Sequence, residues 1–307
     1  MEIDKIVLVI RSTRLEENIK RFNTKSQAKF FVLSRGQSFD DYEKEDSNYQ
    51  TARDSVEHLI PKGIKLQIID RTFLTNFVFG PKDLVITLGQ DGLVVNTAKY
   101  LNGQFLVAVN PDPARFDGIL LPFRVPDLAD ILPKIQEDKF SYKNITMGKM
   151  SLNDGQVLYA FNDFFVGAKS HISSRYTLHF NQKSERHSSS GIIISTPAGS
   201  TGWLSSVFNM TNGVSKYQGS NVNWNQSKLN WDDQKMIFVV REPFKSNWSG
   251  SDLVTGEILP NLEIVIESLM PEQGVIFSDG METDFIDFNS GATARIGIAE
   301  KITKLIV

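Results

Sequence analysis

The sequence predicts an α/β protein with a β-rich second half: an N-terminal doubly wound, mostly parallel α/β domain followed by a C-terminal β-sandwich-like domain. Residues 5–10, 64–69, 83–88 and 105–110 are short, continuous runs rich in Val, Ile and Leu, as strands covered on both faces are. Between them lie stretches whose apolar residues recur at helical spacing, and strands alternating with helices read as parallel crossover units. From about residue 141 the texture changes to strand-length runs divided by turn signals such as Asn153-Asp154-Gly155 and Ser278-Asp279-Gly280. That pattern belongs to antiparallel sheets.

Taken in order, the run at 5–10 predicts the first strand, and the stretch 49–60 predicts a helix that stops at Pro61, because a residue before proline is pushed out of the helical region. A helix over 93–101 opens at Gly92, and one over 128–139 closes the first domain. The domain boundaries are therefore 1–140 and 141–307, the last segment being free to return to the first domain. In the second domain strands are expected at 157–161, 176–180, 191–194, 236–240, 262–266, 274–277 and 294–298. One helix is expected at 201–209. The polar stretch 213–234 reads as a long loop, with Trp203, Trp224, Trp231 and Trp248 nearby.

Composition narrows the function. In 307 residues with 41% apolar content, two cores of ordinary size can be buried. A net charge of -3 leaves no broad basic field for a nucleic-acid backbone, and no 18-residue apolar run could cross a bilayer. With no cysteine, disulfides, thiolate metal sites and a cysteine nucleophile are excluded. The chain enters its first strand pattern almost directly after Met1, with no leader-like stretch. A cytoplasmic protein that binds small molecules, and neither nucleic acid nor membrane, is the expectation.

Two segments could carry chemistry. In the first, the apolar run 84–88 enters Gly89-Gln90-Asp91-Gly92 and then a helix. Such a turn aims backbone N–H groups and the positive end of a helix dipole at one point, which suits phosphate. Asp91 is out of place in a bare phosphate cradle, because a carboxylate repels an anion. It could deprotonate or orient a hydroxyl or hold magnesium, or it could simply cap the helix, as Asp often does. In the second, the apolar run at 191–194 enters Ser195-Thr196-Pro197-Ala198-Gly199-Ser200-Thr201-Gly202-Trp203. Small residues let a flat ligand lie against backbone, and hydroxyls offer uncharged hydrogen bonds; hydroxyls before a helix are also ordinary caps.

Together these segments, with Asn162-Asp163 between them, resemble the NAD kinase family. That family has a Gly-Gly-Asp-Gly turn, an Asn-Glu or Asn-Asp pair, and a Ser-Thr-Pro-Thr-Gly-Ser-Thr-Ala-Tyr type segment. The resemblance runs along nearly the whole chain. Thr13-Arg14, Asn110-Pro111-Asp112-Pro113, Ser173-Ser174-Arg175-Tyr176, Ser189-Ser190-Gly191, Arg241-Glu242-Pro243 and Asp279-Gly280 are similar to the mitochondrial-type branch. The wider superfamily includes diacylglycerol kinases and phosphofructokinases.

The resemblance implies ATP- and Mg2+-dependent phosphorylation of the 2′-hydroxyl of the adenosine ribose of NAD, giving NADP. It implies Asp91 as the catalytic residue. Gly89, Gln90, Gly92, Asn162, Asp163, Ser195, Ala198, Thr201, Gly202 and Trp203 are the implied nucleotide contacts, and a homodimer or larger homo-oligomer is the implied assembly. No protein residue is assigned to metal. Gln90 departs from the family's second glycine: if that glycine uses positive φ or lets a phosphate approach the backbone closely, glutamine strains the turn or crowds the ligand, whereas at an ordinary φ its amide could supply an extra donor. The alternatives are a kinase of the same fold with a lipid or sugar acceptor, or a non-catalytic NAD-binding protein closed at Gln90. Arg14, Arg175 and Arg241 are read as phosphate contacts or ion pairs, the many Phe residues as core, and Asp279-Gly280 as a hairpin turn.

Overall fold

A computed structural model of the chain describes residues 1–220, 228–281 and 284–307. The chain divides into two compact units, one of Met1–Lys143 with Lys304–Val307 and one of Asn144–Thr303. Trp224 lies outside the described residues, as do the other residues of 221–227 in the middle of the expected loop.

The first unit runs β1 (Lys5–Ile10), α1 (Arg14–Phe22), α2 (Lys25–Ser34), α3 (Phe39–Leu59), β2 (Lys65–Asp70), β3 (Asp83–Leu88), α4 (Asp91–Ala98), β4 (Phe105–Asn110), β5 (Phe123–Arg124) and α5 (Leu128–Gln136). The strands at 5–10, 83–88 and 105–110 stand where the apolar runs place them. They pair in parallel in the order β2-β1-β3-β4. Ile6, Leu8, Leu84, Ile86, Val107 and Val109 form one core with Tyr49, Ala52 and Val56 of α3 and Leu128, Ile131, Leu132 and Ile135 of α5. Val7, Val9 and Val85, on the opposite face, are fully buried as well. Burial on both faces is why these strands read as unbroken apolar runs.

The expected helix at 49–60 begins ten residues earlier, at Phe39. Its first half is so acidic and polar (Asp40, Asp41, Glu43, Glu45, Asp46) that apolar spacing alone does not mark it. Apolar spacing marks no helix between residues 11 and 38, where α1 and α2 lie. Both start at threonine N-caps, Thr13 accepting from the Glu16 N–H and Thr24 from the Gln27 N–H, the cap geometry that threonine favours.

The second unit contains β6 (Tyr142–Leu152, from Asn144 onward), β7 (Val157–Ala160), β8 (Asp163–Ala168), β9 (Ser174–Phe180), β10 (Lys183–Ser189), β11 (Ile192–Ser195), α6 (Trp203–Tyr217), β12 (Met236–Val240), β13 (Thr255–Ile258), β14 (Ile264–Ser268), β15 (Gly274–Ser278), β16 (Ile286–Asp287) and β17 (Thr293–Ile306, up to Thr303). One sheet has the order β13-β12-β11-β8-β15-β16, and its paired strands are antiparallel. In the other, β10, β9, β14 and β17 are neighbours, and β6 pairs with β17 and β7. Phe164, Val166, Ile192, Ile194, Met236 and Phe238 of the first sheet share a core with Tyr176, Leu178, Ile264, Ile266, Ala294 and Ile296 of the second. Two antiparallel sheets face to face over one apolar layer form a sandwich.

The helix expected at 201–209 runs on to Tyr217, so the expected loop at 213–234 is helical over its first residues. Gly213 sits inside the helix with open space where a side chain would be, costing only the ordinary helical penalty of glycine.

Candidate active site

In the first unit the chain leaves β1 toward β2 on one side and leaves β3 toward β4 on the other, so the winding reverses between β1 and β3. In open parallel sheets the carboxyl edge at such a reversal forms a ligand crevice. Gly89-Gln90-Asp91-Gly92 follows the carboxyl end of β3, and α4 opens at Asp91.

Each residue of that turn has a local reason. A Cβ on Gly89 would lie 2.8 Å from Leu93 Cδ2, so the strand can pass this close to the helix only without a side chain. Gln90 is the N-cap residue, at φ -93 and ψ 170, with an exposed side chain. Its backbone is ordinary extended chain, so glutamine brings no strain here. Gly92 is exposed, and a Cβ there would meet nothing within 4 Å.

Asp91 does not cap its own helix; it is the first helical residue, and its carboxylate points elsewhere. Oδ1 accepts the Leu120 N–H at 2.9 Å and Oδ2 the Ile119 N–H at 3.2 Å. A carboxylate in the first turn also lies favourably in the helix dipole. This corrects the capping alternative: the side chain is fixed by a separate loop.

Tyr49 of α3 secures the same edge. Its hydroxyl accepts the Arg11 N–H at 3.0 Å and donates to the Leu88 carbonyl at 2.9 Å. The side chain of Arg11 is buried against Glu45, 3.2 Å away. Arg14, read as a possible phosphate contact, is held by Asp41 at 2.8 Å and by Glu45.

In the second unit, Asn162 and Asp163 lie where β7 ends and β8 begins. Asp279 grips this turn. Its carboxylate accepts the N–H groups of Phe161 (3.1 Å), Asn162 (2.6 Å) and Asp163 (3.3 Å), while its own N–H donates to the Asp163 carbonyl at 2.9 Å. Asp279 adopts φ 57, in the left-handed region that Asp and Asn tolerate better than other side chains. The sequence showed a hairpin turn at Asp279-Gly280; the structure adds that its carboxylate faces the Asn162-Asp163 turn. Burial, and then the Asp279 charge, push the Asp163 carboxyl up to about 7.

The segment from Ser195 to Trp203 packs on the same turn. The Thr196 N–H donates to the Asn162 carbonyl at 2.8 Å, and the Thr196 hydroxyl donates to the Phe161 carbonyl. Ser195 is fully buried, its hydroxyl donating to the Thr196 carbonyl at 3.0 Å. A Cβ on Gly199 would lie 2.0 Å from the Asn162 carbonyl oxygen. Ala198 is half-buried, and Thr201 and Gly202 are exposed at the opening of α6. The structure thus brings Asn162, Asp163, Ser195 and Ala198 onto one scaffold and leaves Thr201 and Gly202 facing out.

Trp203 lies 5.6 Å from Phe165 in stacked geometry, and Phe165 stacks in turn on Phe277 at 5.0 Å. The Arg241 guanidinium sits 5.3 Å over the Trp203 ring. With Lys169, Val275 and Phe285 these residues line a pocket of about 230 Å³. Phe165 and Phe277 were read as plain core; the structure puts them in a pocket wall. Successive strand residues face opposite sides, but the unbroken apolar runs Phe164-Phe165-Val166 and Val275-Ile276-Phe277 carry no alternation that would mark the pocket wall.

A parallel sheet with an aspartate-bearing glycine turn at its reversal, joined in sequence to a β-sandwich, is the fold of NAD(H) kinases. A yeast NADH kinase solved with NADH matches 100% of this chain and 84% of its own at a TM-score of 0.61 and 13% identity. An NAD kinase from Archaeoglobus fulgidus solved with ATP matches 98% of this chain and 92% of its own at 0.56 and 14% identity. In sequence the chain is similar to an NAD kinase of Cytophaga hutchinsonii, 26% identical over 154 residues. That match covers 48% of this chain and about half, 52%, of the relative. No protein-family model matches. No helix among the described residues is long and apolar enough to cross a membrane.

Proposed function

We propose that this protein is an NAD kinase, transferring the γ-phosphoryl group of ATP to the 2′-hydroxyl of the adenosine ribose of NAD. The observation that carries the reading is the Asp91 carboxylate, fixed at the mouth of α4 by the Ile119 and Leu120 N–H groups. Each carboxylate oxygen has more than one lone pair, so these bonds orient the group and leave it able to accept a proton. The O2′–P bond forms as the bond from phosphorus to the β-phosphate oxygen breaks; the hydroxyl proton passes to Asp91 and ADP departs. Backbone N–H groups of the 89–92 turn and the positive end of the α4 dipole face the transferring charge. Asn162, Asp163, Ala198, Thr201, Gly202 and Trp203 are the proposed dinucleotide contacts. The buried Ser195 supports them from behind.

Among the described residues no three histidine or acidic side chains converge as a metal cage would. In this proposal the magnesium comes with ATP, bound to its phosphates as this ion commonly is. The ordinary φ of Gln90 speaks against backbone strain at this turn, so a non-catalytic binder would have to rest on the glutamine side chain crowding the phosphate.

The test is NADP formation from NAD, ATP and magnesium by the purified protein. Activity is expected, and Asp91→Asn should lower kcat by about 10²- to 10⁴-fold while NAD binding by calorimetry persists. Gln90→Gly should leave kcat within about twofold, because no backbone strain is relieved. NAD binding without NADP formation would support the non-catalytic reading instead, and turnover of only a lipid or sugar acceptor would reassign the substrate.

A further inference from the structure

The Asp91 carboxylate depends on a loop, and that loop has an anchor of its own outside the turn. Residues 111–121 lead from β4 toward β5, and their Ile119 and Leu120 N–H groups hold Asp91. The first half of the loop is a compact knot. The Arg115 and Phe116 N–H groups both donate to the Asp112 carbonyl at 3.0 Å, and the Asn110 amide donates to the Phe116 carbonyl at 2.9 Å. Gly118, at φ 64, turns the chain toward Asp91; a Cβ there would meet Leu121 at 2.9 Å and the Asn110 amide at 3.0 Å.

The knot is tied to the start of α3. Arg115 makes a two-pronged pair with Asp41, at 2.7 and 3.2 Å, and Asn48 donates to Asp112 at 2.9 Å. Arg14 holds the second side of Asp41 at 2.8 Å. A guanidinium that engages both carboxylate oxygens fixes direction as well as distance. The loop is thus pinned by a charged fork at one end and grips Asp91 at the other.

We propose that Asp41 and Arg115 are positioning residues for Asp91: their pair sets the 111–121 loop, and through the Ile119 and Leu120 N–H groups it sets the carboxylate that takes the hydroxyl proton. The proposal rests on the base role given to Asp91 above. Both side chains are partly exposed, so the pair contributes little to global stability, whereas a small misplacement of a reacting group is costly.

The experiment compares Arg115→Ala, Asp41→Ala and Arg115→Lys with the wild-type protein. Arg115→Ala and Asp41→Ala should fold normally, lower kcat on the order of tenfold and leave the KM for NAD unchanged. Hydrogen exchange of the Ile119 and Leu120 amides should quicken by roughly two- to fivefold. Arg115→Lys, which keeps the charge but offers one contact in place of the fork, should recover only part of both. Unchanged exchange in Arg115→Ala overturns the proposal, as does faster exchange with wild-type kcat while Asp91→Asn is inactive. If Asp91→Asn itself keeps wild-type kcat, the base reading fails and the proposal falls with it. Should either alanine variant unfold, exchange and kcat in Arg115→Gln, which keeps one donor arm, decide by the same criteria.

Discussion

The Asp279 carboxylate accepts the Asn162 backbone N–H at 2.6 Å across 117 residues of chain. With the Phe161 and Asp163 N–H groups as further donors, it sets the shape of the turn that carries the proposed dinucleotide contacts. The sequence brings these residues together only through folding, since β15 and β8 are neighbours in the sheet.

Replacing Asp279 should therefore harm both stability and binding. Asp279→Ala leaves buried or half-buried amides without an acceptor and puts alanine at φ 57; the expected loss is about 3 kcal/mol by urea unfolding. Asp279→Asn keeps one acceptor oxygen and a side chain that tolerates the left-handed region, so it should lose about 1 kcal/mol. The KM for NAD should rise in both. A wild-type unfolding midpoint in Asp279→Ala would contradict the clamp.

Asp163 makes stability depend on pH in a defined direction. Its folded value of about 7 lies above the ordinary 3.8, through burial first and the Asp279 charge second. Between these values the folded chain keeps a proton that the unfolded chain has lost, so the stabilisation is complete below about pH 4 and gone above about pH 7. The ceiling is on the order of 4 kcal/mol. The His187 imidazole is lowered by burial and works in the opposite sense, so the readable quantity is the difference from Asp163→Asn. Urea unfolding at pH 5 and pH 8 should show the wild type losing stability relative to Asp163→Asn. An equal slope in the two proteins would remove the argument.

Two glycines make opposite predictions. A Cβ on Gly199 would stand 2.0 Å from the Asn162 oxygen, whereas one on Gly92 would meet nothing within 4 Å. Gly199→Ala should cost about 3 kcal/mol or more by forcing two backbones apart. Gly92→Ala lies in the first turn of α4, where alanine should stabilise by about 0.5–1 kcal/mol. If the turn receives phosphate, the KM for ATP should nevertheless rise with that added methyl. A Gly92→Ala protein with unchanged KM for ATP would move the phosphate elsewhere.

Much of the molecule could be read from sequence because burial on both faces of a parallel sheet leaves an unbroken apolar record. The strands at 5–10, 83–88 and 105–110 appear as read. The acidic start of α3 and the helices α1 and α2 leave a weaker record, because their capping threonines and surface charges carry the signal and apolar spacing does not. Gly89 to Gly92 and Asn162-Asp163 stood out as short motifs. Asp279 as a clamp, the Arg115–Asp41 fork and the Phe165–Trp203–Phe277 wall did not, because each is an encounter between residues distant in the chain. The strain half of the doubt raised by Gln90 was a question of one dihedral angle, and no residue name contains that angle.

The hydroxyl of Tyr49 joins the Arg11 N–H to the Leu88 carbonyl, just past Val9–Thr87, the last pair in the β1–β3 register. Parallel strands that part company leave polar groups that solvent would otherwise occupy. Here a phenol occupies them, on a helix that is itself part of the core. The tyrosine thus closes the ends of these two strands with a protein group, and under the proposed phosphoryl transfer that would leave fewer sites for a competing water at this edge.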